Sequence, residues 1–148
     1  MANYITQQEV AVLLGFDNFS SITRPTETQV NSIIADITNE IDFVLSGIGI
    51  TTQPTDTRLL GRLAIACKYG TACQVAMSAY GNATGVDGSQ GDKFCEKYKE
   101  ILDDIKENPE LYGAVTGDSA MYMSNQVKDG TYTETQNSDR YISESFEV

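Results

Sequence analysis

The sequence predicts an all-α protein: a small four-helix domain over residues 1–113, followed by a long extended C-terminal arm over residues 114–148. Three observations lead there. Between Val30 and Ile48, apolar residues recur at spacings of three and four, the period of a helix lying on a core. Capping residues, glycines and prolines divide the chain up to Pro109 into helix-length pieces. Beyond Ala114 the helical period stops, apolar residues thin out, and Ser, Thr, Asn and Gln become frequent.

The elements follow in order. Thr6-Gln7-Gln8-Glu9 is a capping box, in which Thr6 bonds the amide of Glu9 and Glu9 reaches back to Thr6. Val10, Val12, Leu13 and Leu14 continue it into a short helix that Gly15 ends. The residues through Arg24 read as a loop that lays Phe16 and Phe19 onto the core. Pro25-Thr26-Glu27-Thr28-Gln29 opens the clearest helix. Its stripe is Val30, Ile33, Ile34, Ile37, Ile41, Val44, Leu45 and Ile48, and Gly47 and Gly49 close it.

A third helix, with Thr55 or Asp56 as its N-cap, runs as far as Tyr80. It is apolar on most sides, which marks a central, buried helix. Its small residues Gly61, Ala64, Gly70 and Ala72 are expected to let neighbouring backbones approach closely. Residues 81–91 read as a glycine-rich loop, after which Asp92 caps a fourth helix with Phe94, Tyr98, Ile101, Leu102 and Ile105 on one stripe. Asn108-Pro109 stops that helix.

In the arm, Asp129-Gly130 is a hairpin signal, with Val127 facing Tyr132 and with Met121 and Met123 extending the same apolar face. A lone two-stranded hairpin is marginal in water, so the arm is expected to order against something else. Its anchors are Met121, Tyr122, Met123, Val127, Tyr132, Tyr141, Ile142 and Phe146. Two readings stay open. The arm caps its own bundle, or it docks its aromatics in pockets on another chain.

Composition excludes several classes of function. The chain has 148 residues, 41% of them apolar, which suits one domain with a single modest core. Ten Lys and Arg face 21 Asp and Glu, a net charge of −11, so non-specific DNA binding and docking on an anionic membrane lack a driving force. There is no His, which removes the commonest general base and transition-metal ligand and makes a Ser-His-Asp triad impossible. The first residues lack the basic and apolar regions of a signal peptide, and no apolar run is long enough to span a bilayer. Cys67, Cys73 and Cys95 form no CxxC pair and are expected to be buried thiols in a reducing cytoplasm.

The remaining motifs assign no chemistry. The glycine-rich loop fails the P-loop pattern, since no Lys-Ser or Lys-Thr follows its last glycine, and it lacks the ligand series of an EF-hand. It is expected to be a helix connection whose Asp87, Gly88, Ser89 and Gln90 contact partners. The carboxylate pairs Asp36/Glu40, Glu100/Asp104 and Asp103/Glu107 read as solvated helix faces. No catalytic, cofactor-binding or metal-ligating residue is assigned, and the protein is expected not to be an enzyme.

One resemblance bears on function. The opening Tyr-Ile-Thr-x-x-Glu-Val-x-x-Leu-Leu-Gly is followed by Thr-Glu-Thr-Gln-Val-Asn-x-Ile-Ile-x-Asp-Ile-Thr-x-Glu-Ile-Asp. A small-residue-rich central helix and a Phe-x-x-x-Tyr-x-x-Ile-Leu helix come next. This order, from Tyr4 to about Leu111, resembles the head–tail connector (adaptor) proteins of tailed bacteriophages. The resemblance implies a structural, ring-forming homo-oligomer, twelve-fold in expectation, in the virion neck and assembled in the host cytoplasm. It implies a portal protein on one side and a stopper or tail component on the other, with the arm gripping the portal. Double-stranded DNA would pass through the ring without specific binding, which the acidic composition suits. A rival reading from composition is an acidic DNA mimic or regulatory protein that occupies a nucleic-acid enzyme. Lys93, Lys97, Lys99 and Lys106 interrupt the acidic surface that reading needs.

Overall fold

The computed structural model of the chain describes residues 2–78 and 88–114, and four α-helices account for most of them. They are α1 (Gln7–Leu14), α2 (Glu27–Gly47), α3 (Thr57–Met77) and α4 (Gly88–Glu107), and a 3-10 turn, Pro109–Tyr112, follows the last. Among the described residues there is no strand, so the described part of the chain is all-α as the sequence predicts. The arm and its hairpin signal lie outside the described residues.

Local chemistry sets each helix start. Thr6 caps α1 through the capping box, with the Thr6 amide donating to Glu9 Oε2 at 2.9 Å. Thr26 caps α2 in the same way, its hydroxyl accepting from the Gln29 amide and its amide donating to Gln29 Oε1 at 2.9 Å. Asp56, one of the two expected caps, starts α3 by accepting the amides of Arg58 and Leu59. Gly15 ends α1 at φ 78°, a left-handed conformation that costs glycine nothing.

α3 is the centre of the bundle and packs on α1, α2 and α4. The α2 stripe delivers Val30, Ile34, Ile37, Ile41 and Leu45 to the interior, where they meet Leu63, Ala66 and Cys67 of α3. Tyr98, Ile101, Leu102 and Ile105 of α4 close the core, and Phe19 and Phe16 cover its edge with ring centroids 5.7 Å apart. The α1 stripe is shifted from expectation. Ala11 is buried beside Val10, while Val12 points to solvent.

The α3 and α4 helices run antiparallel at very close range. A Cβ at Gly70 would lie 2.8 Å from Ile37 Cγ2 and 2.9 Å from Tyr98 Cε2, and one at Gly91 would lie 2.9 Å from Ala76 Cβ. This bears out the expected role of Gly70. It does not extend to Gly61, around which the space is open, and Ile65 and Met77 are exposed, so α3 is less completely enclosed than its composition suggests.

Two expectations are overturned here. The loop does not run to Gly91, and Asp92 is not a cap. The helix begins at Gly88, so Gly88, Ser89 and Gln90 form its first turn. Packing explains this: the bare Gly91 backbone fits against Ala76, and that contact outweighs the poor helix propensity of glycine. Nor are all three cysteines free thiols. Cys73 of α3 and Cys95 of α4 form a disulfide, with Cα atoms 4.9 Å apart, while Cys67 is free and buried as expected. The bond joins residues 22 apart in sequence, and only the antiparallel approach of the two helices brings them together.

Candidate functional site

An open, mostly apolar groove lies along the C-terminal half of α2, where Lys106 of α4 meets it. Glu40, Phe43, Val44, Gly47, Ile48 and Lys106 line it around about 430 Å³. Phe43 is 77% exposed, although it belongs to a helix whose other large apolar residues turn inward. The helical period explains its placement: Phe43 stands two residues from both Ile41 and Leu45, which are buried, and so it falls on the outer face. Gly47 leaves the groove floor without a side chain.

Polar groups fix the groove wall. The Tyr98 hydroxyl donates to Glu40 Oε2 at 2.9 Å and joins α4 to α2 beneath the rim. Burial, and then this bond to a carboxylate, push the Tyr98 hydroxyl far above the ordinary tyrosine value, so it stays a donor. Tyr4 repeats the device at the N-terminal side by donating to Asp42 Oδ1, and its pKa rises for the same two reasons.

At the end of α4 a second polar cluster ties three elements together. Arg62 Nε donates to the Tyr112 hydroxyl and Arg62 Nη2 to Asp104 Oδ2, each at 2.7 Å. The Tyr112 hydroxyl in turn donates to Asp104 Oδ2 at 2.8 Å, and Asn108 Nδ2 donates to Asp104 Oδ1 at 3.0 Å. Tyr112 and then Arg62 hold the Asp104 carboxyl below the ordinary aspartate value. Asp104 is therefore a tethering residue rather than part of a solvated pair, which corrects the expectation for the Glu100/Asp104 face. Beside it a shallow hollow of about 310 Å³ is lined by Ile50, Thr55, Leu59, Tyr112 and Gly113, among others.

Of the residues the sequence singles out, Ser89 and Gln90 lie exposed in the first turn of α4, and Gly88 opens that helix. Asp87 and the arm residues Met121, Tyr122, Met123, Val127, Tyr132, Tyr141, Ile142 and Phe146 lie outside the described residues. The groove itself was missed. Its signal in the sequence is Phe43, an aromatic residue on the polar face of an amphipathic helix. Among the described residues no group of three or more Cys, Asp or Glu side chains is placed to hold a metal ion. No described helix is long and apolar enough to cross a membrane. An apolar groove with one carboxylate and one ammonium on its rim is suited to receiving a side chain of a protein partner. No protein-family model, curated protein or solved structure matches the chain.

Proposed function

We propose that the protein is a structural head–tail adaptor of a tailed-phage virion, a ring between the portal and a stopper or tail component around the DNA channel. The observation that carries this reading is the combination of an acidic helical bundle with single apolar side chains held out on its surface. Ile22 is 89% exposed, Phe43 77% and Val12 68%, and all three lie within the span from Tyr4 to about Leu111 whose order of sequence motifs resembles the connector family. A single exposed apolar side chain is ordinary on a protein surface; Phe43 counts for more because it borders the mostly apolar groove of about 430 Å³, a shape suited to a protein contact. The net charge of −11 keeps DNA from adhering, so a duplex slides through such a ring.

In this reading the arm over residues 114–148 docks on the portal or on adjacent subunits, and the polar clusters keep the bundle rigid under load. The test is a pull-down of the tagged full chain from its native source during assembly, with co-purifying proteins identified by mass spectrometry. A portal-sized ring protein together with tail components supports the adaptor. A polymerase, nuclease or repressor released by salt contradicts it and favours the DNA mimic.

A further inference from the structure

We propose that the Phe43 groove receives Ile22 from a second copy of this chain, and that this knob-and-groove contact is the repeating subunit interface. The proposal deepens the ring reading above and rests on it. Ile22 is the most exposed large apolar residue described, at 89%. It does not sit on a loose loop. Thr23 Oγ1 accepts from the Ser20 amide at 2.9 Å and has its one proton within reach of the carbonyls of Pro25 at 2.8 Å and Ser20 at 3.0 Å, and the Ile22 amide donates to Ser20 Oγ at 3.3 Å. On either side Phe19 and Pro25 are buried in the bundle and anchor the turn. The fold thus presents an isoleucine to water on a pre-organised support, which lowers the ordering cost of binding.

Knob and groove lie at opposite ends of one rigid element. Ile22 precedes the first turn of α2 and Phe43 lies near its last, about 24 Å apart along the axis from Glu27 onward. Two different patches that fit each other produce head-to-tail association, and such association closes into rings or extends into filaments. A volume of about 430 Å³, walled by Phe43, Val44 and Ile48, accommodates a branched aliphatic side chain. Charge complements shape. Arg24, exposed two residues from the knob, makes no ion pair with the described residues, and on the groove side of α2 the exposed carboxylates of Glu40 and Asp36 outnumber the one ammonium at the rim, that of Lys106. A second copy therefore brings a guanidinium to a carboxylate as its isoleucine enters the groove.

The test uses the full chain. Sedimentation velocity is run over rising concentration on the wild type, on Ile22→Asp and on Phe43→Asp, both at exposed positions that leave the core intact. The wild type is expected to self-associate, and each variant to do so at least about tenfold more weakly, the effect of losing one interface anchor. Mixing the two variants is expected to restore a one-to-one dimer and nothing larger, because one supplies the only intact groove and the other the only intact knob. A photo-cross-linker at Ser21 is expected to join two copies at the peptide that contains Phe43. Self-association unchanged by either variant, no self-association of the wild type up to its solubility limit, or cross-links from Ser21 only to a foreign protein would each overturn the contact. The pull-down decides the connector reading separately. Portal recovery without the Ser21–Phe43 cross-link removes this contact and leaves the adaptor, whereas the cross-link without portal recovery does the reverse.

Discussion

Removing the Cys73–Cys95 disulfide, by reduction or by the double substitution Cys73→Ser/Cys95→Ser, should lower the stability of the bundle by a calculable amount. The bond closes a loop between residues 22 apart. On the chain-entropy account a loop of that length restricts the unfolded chain by about 3 kcal/mol. For a bundle of this size that corresponds to a drop in Tm on the order of 10 °C. The folded state gives no reason for a larger loss, since the interior of Ile34, Ile41, Leu45, Leu63 and Ile105 is assembled without the sulfurs. The assay is thermal melting followed by far-ultraviolet circular dichroism, with and without a phosphine reductant, on wild type and the double variant. Cys67→Ser serves as a control, because Cys67 is free, and the reductant should still lower its Tm by the wild-type amount. A double variant that melts within about 2 °C of the oxidised wild type, well inside the shift expected for such a staple, would refute the reasoning. So would a reductant that shifts the double variant as much as the wild type.

Further outcomes follow from the same structure. Gly70→Ala should destabilise the protein by about 1–3 kcal/mol in urea melts, because the added methyl lands on Ile37 and Tyr98, whereas Gly61→Ala, in open space, should stabilise it by about 0.5–1 kcal/mol. Tyr112→Phe keeps the buried ring but removes the hydroxyl that links Arg62 and Asp104, and should cost about 1 kcal/mol by the same measurement. The Asp104 carboxyl is held below its ordinary value when folded, so its contribution is complete above the unfolded aspartate range and is lost as pH falls through the depressed folded value. Asp104→Asn should therefore flatten the acid limb of a stability–pH curve below about pH 4, the ordinary aspartate range. Deleting residues 114–148 should leave the helical circular dichroism of the bundle in place while the truncated chain no longer joins particles; normal incorporation would remove the arm's docking role.

How much of this was legible depends on how local the cause is. The α2 stripe and the caps Thr6, Thr26 and Asp56 were readable because each acts within one turn or along one face. The start of α4 was not, because its early glycines look like a loop until Gly91 is seen against Ala76. The Cys73–Cys95 bond, the Tyr98–Glu40 bond and the Arg62–Asp104–Tyr112 cluster all join residues far apart in sequence. Their partners are chosen by helix crossing, which no spacing pattern encodes. Arg62 and Tyr112 carried no signal of their own. Phe43 carried one, an aromatic residue out of phase with its stripe, and Ile22 another, an aliphatic residue amid Ser and Thr. Both are conspicuous only once the turn and the groove that hold them are placed.

The central claim is that this chain is a structural part of a phage particle. The most direct measurement is quantitative mass spectrometry of purified particles from the native source, scaled to the portal protein as an internal ring standard. The adaptor account predicts that the chain is present at a fixed, near-stoichiometric ratio to the portal and persists through high-salt washing. Absence from purified particles, with the chain found instead on a nucleic-acid enzyme in the cell extract and released by salt, would contradict it.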